Sequence, residues 1–365
     1  MVLARCARPR LDALSLTQLS GDTRGFGDWD VLVAAAEAHG LAPLVWTHTK
    51  AAGVVLPASA ARSLGGLYLR HRQANQIRLH ALAEILAALG AVGIPALVLK
   101  GAALAHLLYP EPGLRPMGDL DLLIDETQFG PGLRALGDLG FIAPTPGGES
   151  STDKHLAVVK VVEGLPVGVE LHRRLLAAQG PATAGDAVAD PPLPFALGEL
   201  TAYTLGREAL LWHLCQHLVV HANVFTALRL IWVADVVGLA ELWAEQLDWE
   251  QIRTRHPLVP GVLSLLDSIT PLSSTVREAA GLGAASAWDD FYGWPRSALA
   301  DQRRHGKGFG QIVRDTFLPS HWWLRLHRGP GTAGPPAWYN RVRHVLEVLG
   351  WVGHLLVEQP GSFLP

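Results

Sequence analysis

The stretch LVLKGAALAHLLYPEPGLRPMGDLDLLID, residues 97–125, decides how this chain is read. It begins as an apolar run and turns through Lys100 and Gly101 into a helix-like segment. It then crosses a Pro/Gly loop and ends on two aspartates one residue apart. IPALVLK, residues 94–100, is short, partly β-branched and preceded by glycine, which predicts a strand. DLDLLID begins with strict polar/apolar alternation and predicts a second one. Residues two apart on a strand share a face. Asp119 and Asp121 therefore project together, while Leu120, Leu122 and Ile124 point to a core.

Working outward, HLAVVKVVEGLPVGVELHRRL predicts a β-hairpin turning near Glu163 to Pro166. Its second strand repeats the pattern: Val167, Val169 and Leu171 face one way, and Gly168, Glu170 and His172 the other. If these strands are neighbours, three carboxylates converge on one sheet face, with no side-chain bulk at Gly168. Three ionised carboxylates held close repel strongly, and divalent metal is the obvious compensation. Hard oxygen ligands suit Mg²⁺, with Mn²⁺ a substitute, in the company of substrate phosphates. The plainer reading is that Asp119 and Asp121 form a turn or a salt bridge with Arg115. Upstream, the turn from a strand through Lys100 and Gly101 into a helix offers backbone N–H groups to an anion.

Taken together, the motifs resemble the polymerase-β-like nucleotidyltransferase superfamily. More narrowly, they are similar to a bacterial nucleotidyltransferase family with the pattern LKG…LY…G-x-R…DLDLL. Here that pattern is Leu99-Lys100-Gly101, Leu108-Tyr109, Gly113, Arg115 and Asp119 to Leu123. The family's later D/E-L/I-H element is met by Glu170-Leu171-His172, and its helical elements by His213, His217, Arg229 and Asp235. The resemblance covers roughly residues 30–245. It implies metal binding and catalysis by Asp119, Asp121 and Glu170, with Glu170 also able to take an acceptor proton. Nucleotide binding would fall to Lys100, Gly101, Ala102 and Arg115. Two features depart from the superfamily: Gly101-Ala102 stands where Gly-Ser is frequent, and a longer loop separates that turn from Asp119.

His213, His217 and His221 recur every fourth residue and share one helix face. At 1.5 Å rise per residue the outer pair lies about 12 Å apart, too far for one ion to bind all three. Packing or a substrate pocket involving His172, His213 and His217 is the reading that remains. Trp212, Trp232, Trp243 and Trp249 are expected in the core.

The whole chain sets the frame. Its 365 residues suffice for two or three domains with real cores. A hydrophobic share of 49% against 17% charged residues predicts a compact globular protein. The formal net charge of −3 argues against bulk nucleic-acid binding. Cys6 and Cys215 make neither a disulfide framework nor a paired metal motif. With no signal-peptide core or membrane span in view, a cytoplasmic protein without membrane partners is expected.

The expected fold is α+β: an N-terminal helical segment over 1–92, a small mixed-sheet nucleotidyltransferase core over 93–176, a linker over 177–198, and a helical C-terminal domain over 199–365. Within the first segment, DWDVLVAAAEAHG predicts a helix capped at Gly40. A long proline-free helix follows over about 58–89, its Arg/His/Gln-rich face read as solvated. The expected activity is transfer of a nucleoside monophosphate from an NTP to a small-molecule, peptide or protein acceptor. Two other readings stay open: a catalytically silent accessory protein on the same scaffold, and a toxin-like enzyme that modifies tRNA.

Overall fold

The computed structural model describes residues 1–143, 155–175, 182–183, 191–225, 228–283, 308–320, 323–324 and 337–358. Five helices lead in: α1 (Val2–Cys6), α2 (Ala13–Asp22), α3 (Trp29–Ala38), α4 (Ala42–Ala51) and α5 (Ala58–Ala91). Asp12 caps α2 by accepting from the Ser15 N–H at 2.7 Å. Past α3, Gly40 adopts φ +71° and the Leu41 N–H returns to the Ala36 carbonyl, ending the helix where glycine was expected to end it. The 34 residues of α5 run about 50 Å as one helix.

The polar face of α5 is not simply solvated. Asn75 is buried, and its Nδ2 donates to the carbonyls of Pro112 at 2.8 Å and Arg115 at 2.9 Å. It thereby pins the loop that carries the chain into the aspartate strand.

The central sheet is mixed. β1 (Leu97–Leu99) runs directly into α6 (Lys100–Leu107), and β2 (Asp119–Leu123) returns antiparallel to β1, with Leu99 opposite Asp121. After α7 (Phe129–Asp138) comes the hairpin of β3 (His155–Val162) and β4 (Leu165–His172). Its two-residue turn, Glu163-Gly164, has positive φ at both positions, the twist that matches flanking strands. β4 pairs parallel to β2. β5 (Arg174–Leu175) and β6 (Ala182–Thr183) form a separate short pair.

The expected linker needs correction. Residues 176–181 and 184–190 lie outside the described set, but β7 (Leu193–Leu197) and β8 (Leu200–Thr204) form a hairpin, and β8 pairs parallel to β1. The Ala/Pro/Gly content of the segment masked the alternation of Leu193, Phe195 and Leu197, all turned inward. The six-stranded order is β3-β4-β2-β1-β8-β7, with β1 and β2 at its centre. The helical C-terminal part follows with α8 (Arg207–Phe225) and α9 (Leu230–Leu242). Among the described residues, no helix is long and apolar enough to cross a membrane.

Each sheet face has its own core. Leu120, Leu122, Val167, Val169 and Leu171 pack with Leu82, Ile85 and Leu89 of α5 and Leu136 of α7. On the other face, Leu99 and Leu123 join a larger cluster with Leu210, Leu214 and Val236 of the C-terminal helices. Trp243 and Trp249 lie buried in that cluster, with Trp212 and Trp232 at its edge. The aspartates lie on this second face of the sheet.

A buried ion pair ties α9 to the loop before β2. Arg115 Nη2 donates to Asp235 Oδ2 at 2.7 Å, its Nε to Oδ1 at 3.3 Å, and Tyr109 Oη donates to Oδ1 at 2.7 Å. Arg115 is 7% exposed and Asp235 1%. Burial opposes the guanidinium charge, but Asp235 more than offsets it and raises the Arg115 pKa. This fork-to-carboxylate geometry pairs Arg115 with Asp235 rather than with Asp119 or Asp121. Gly101 is explained by the same group: a Cβ there would lie 2.4 Å from Arg115 Nη1. Removing one partner of such a pair strands a charge in the core. Asp235→Ala should therefore lower unfolding free energy by about 3–5 kcal/mol in urea titrations, whereas replacing Arg115 and Asp235 together with apolar residues should cost far less.

Candidate active site

The strand register builds the site. Asp119 pairs with Gly168, Asp121 with Glu170 and Leu123 with His172, so both aspartates, Glu170 and His172 emerge on one face of adjacent parallel strands. Gly168 leaves room there, since a side chain added to it would meet open space. Asp125, farther along the same segment, is exposed and caps the next turn by accepting from Thr127 N at 2.8 Å.

Asp121 is the centre of the cluster and is only 4% exposed. Its Oδ1 accepts from Lys100 Nζ at 2.7 Å and contacts His172 Nε2 at 2.9 Å. His172 Nε2 also lies 3.4 Å from Glu170 Oε2. Burial alone would neutralise Asp121, but Lys100 and His172 together hold its carboxyl well below the usual range. Burial likewise works against the charges of Lys100 and His172, and the carboxylates raise both pKa values in spite of it. The His172 bond keeps Glu170 below its ordinary value and thus ionised, which weakens it as the proton acceptor.

Lys100 reaches Asp121 because of an unusual backbone. It has φ +47°, a left-handed conformation that costs an L-residue energy. The residue follows β1 directly and opens α6, and this turn directs its side chain toward Asp121 on β2.

Asp119 differs from Asp121. It is exposed at the start of β2, although protein surrounds much of it. That crowding, with repulsion from Asp121 and Glu170, raises its carboxyl to about 6 against the pull of Lys100. Asp119 in turn supports the charge of half-buried Arg78 on α5, whose buried Nε has no hydrogen-bond partner. Nothing in the local pattern around Arg78 separated it from the other cations of a long helix.

The histidine row of α8 lies within electrostatic reach of this cluster. His213 is fully enclosed, and both its ring nitrogens lack hydrogen-bond partners. Burial, followed by the Lys100 charge, lowers it to about 3. His217 and His221 have ring centroids 4.1 Å apart, and both lie against Trp232 at 5.2 and 5.0 Å. Burial keeps them neutral near pH 7, with His221 at about 4. Neutral imidazoles beside an indole favour flat, uncharged groups over anions.

Among the described residues, His/Cys/Asp/Glu atoms close enough to share an ion are those of Asp121, Glu170 and His172, all within 4.8 Å of one another. Comparison with known proteins now adds to this geometry. Residues 27–257 match the family model described as "Uncharacterised nucleotidyltransferase". The chain belongs to that family. Its class of activity is therefore nucleotidyl transfer, and the site just described lies inside the matched region. No curated protein matches the chain. The solution structure of the antibiotic-resistance factor ANT(2'')-Ia is similar at 16% identity and a TM-score of 0.36, over 52% of this chain and 93% of that one. That likeness is too slight to bear on the site.

The raised Asp119 has a consequence for the nucleotidyltransferase without metal. Its folded pKa of about 6 exceeds the unfolded value of 3.8, so the native state binds the extra proton between them. Stability should then fall as pH rises from about 4 to 6, and the penalty should persist above 6. Two pKa units correspond to about 3 kcal/mol, which solvent screening of an exposed carboxylate reduces to about 1 kcal/mol. In chelator, Asp119→Asn should be more stable than wild type at pH 7, and the two should converge below about pH 4 in denaturant melts.

Proposed function

We propose that this nucleotidyltransferase moves a nucleoside monophosphate from an NTP to an acceptor hydroxyl or phosphate, with divalent metal held by Asp119, Asp121 and Glu170. The observation that carries this reading is the β2–β4 register, which gathers all three carboxylates on one face beside an open position at Gly168. The donor set fits: the oxygens of Asp121 and Glu170, both ionised by their neighbours and close enough to share an ion, suit Mg²⁺ or Mn²⁺, with Asp119 on the same face. Bound there, such an ion supplies charge neutralisation to the triphosphate and lowers the pKa of the attacking oxygen.

The acceptor oxygen attacks the α-phosphorus, the bond to the β-phosphate oxygen breaks, and pyrophosphate leaves while the acceptor proton passes to a carboxylate or water. The chain's own contribution is position and charge. Lys100 is a buried cation beside the carboxylates, and half-buried Arg78 is a second cation near Asp119. Arg115 acts from behind by fixing the loop that leads into β2. The neutral His217–His221–Trp232 surface suits a nucleobase or another flat acceptor.

Two observations favour a silent accessory protein instead: Lys100 already neutralises Asp121, and Ala102 offers no hydroxyl at the turn. The two readings separate in calorimetric titration of each NTP with Mg²⁺ or Mn²⁺. Metal-dependent binding, accompanied by pyrophosphate release once an acceptor is supplied, is expected of the wild type. Asp121→Asn should reduce turnover at least about a hundredfold. A folded wild type that binds no NTP with either ion would leave the accessory role.

A further inference from the structure

We propose that His172 is a direct metal ligand, so that the site discriminates in favour of Mn²⁺ or a similar transition ion over Mg²⁺. This rests on the metal-dependent reading above and concerns which ion serves it.

The geometry comes first. Bonds of about 2.1 Å meeting at a right angle place adjacent ligands of one octahedral ion about 3.0 Å apart. His172 Nε2 lies 2.9 Å from Asp121 Oδ1 and 3.4 Å from Glu170 Oε2, the spacings of such edges. Asp121 and Glu170 atoms belong to the same group within 4.8 Å. The imidazole reaches this position from β4, where its alternation with Glu170 fixes the face it occupies. Its side chain is 3% exposed, so packing holds the ring with Nε2 toward the carboxylates.

The chemistry points the same way. A nitrogen donor added to two carboxylates is a borderline set, which suits first-row transition ions better than Mg²⁺. Mg²⁺ prefers oxygen, keeps its water reluctantly exchanged, and usually binds through one or two carboxylates. Lys100 Nζ donates to the same Asp121 oxygen at 2.7 Å. An ion must compete with that ammonium, and an additional strong donor makes the competition winnable. A second arrangement would use the same contacts: His172 as a cation that only orients Asp121 and Glu170, leaving the ion to oxygen.

Pulsed EPR of Mn²⁺ added to the full chain separates the two, using ¹⁵N-histidine-labelled wild type with and without a non-hydrolysable NTP analogue. The expected result is a nitrogen coupling of the size given by a directly bonded imidazole. It should vanish in His172→Gln, where Mn²⁺ affinity falls about tenfold or more and Mg²⁺ affinity changes less. The labelled wild type answers the question even if His172→Gln fails to fold. Mn²⁺ bound without nitrogen coupling, yet lost in Asp121→Asn, overturns the ligand assignment and leaves the transferase reading standing. No binding of Mn²⁺ or Mg²⁺ by folded protein, with or without the analogue, overturns both.

Discussion

A carboxylate enclosed as deeply as that of Asp121 stays ionised only because the Lys100 ammonium and the His172 imidazole reach the same oxygen. Lys100 arrives from the end of β1 and His172 from β4, so the charge balance depends on three strands held in register. Sheet order, the turn at Lys100 and the alternation along β4 all serve that one balance. A slip of β4 by a single residue would turn Glu170 and His172 into the core against α5 and leave Asp121 with Lys100 alone.

A second buried charge pair supports the first at a distance. Arg115 and Asp235 lock the loop before β2 to α9, and Asn75 of α5 holds that loop from the other side. The N-terminal and C-terminal helices thereby both act on where β2 begins. Gly101 makes room for Arg115, whose guanidinium packs where a Cβ at residue 101 would be.

Much of this was legible in the sequence. Period-two alternation in DLDLLID and LPVGVELH fixed which side chains share a face, and the shared face is what brings Asp121 and Glu170 side by side. The α+β class and the long α5 followed from the same kind of pattern. Partners distant in sequence were not legible. The closeness of Arg115 to the aspartates is visible in the sequence, while its partner Asp235, 120 residues away, leaves no local trace. The left-handed backbone that sends Lys100 to Asp121 likewise leaves no mark in the local pattern. His172 was placed beside the carboxylates, but its distance to each could come only from coordinates. The β7–β8 hairpin was hidden by a segment whose proline and glycine content resembles a tether.

That hairpin bears on how the protein can be taken apart. Because β8 lies against β1, a fragment ending before residue 193 would expose the hydrogen-bonding edge of a strand evolved to be interior. Bare central strands recruit other chains, so the isolated catalytic core would tend to self-associate. The helical half, beginning with the β7–β8 hairpin, would carry the complementary edge on Leu200–Thr204. The two halves are better regarded as one cooperative unit sharing a seam than as modules that could be exchanged between relatives.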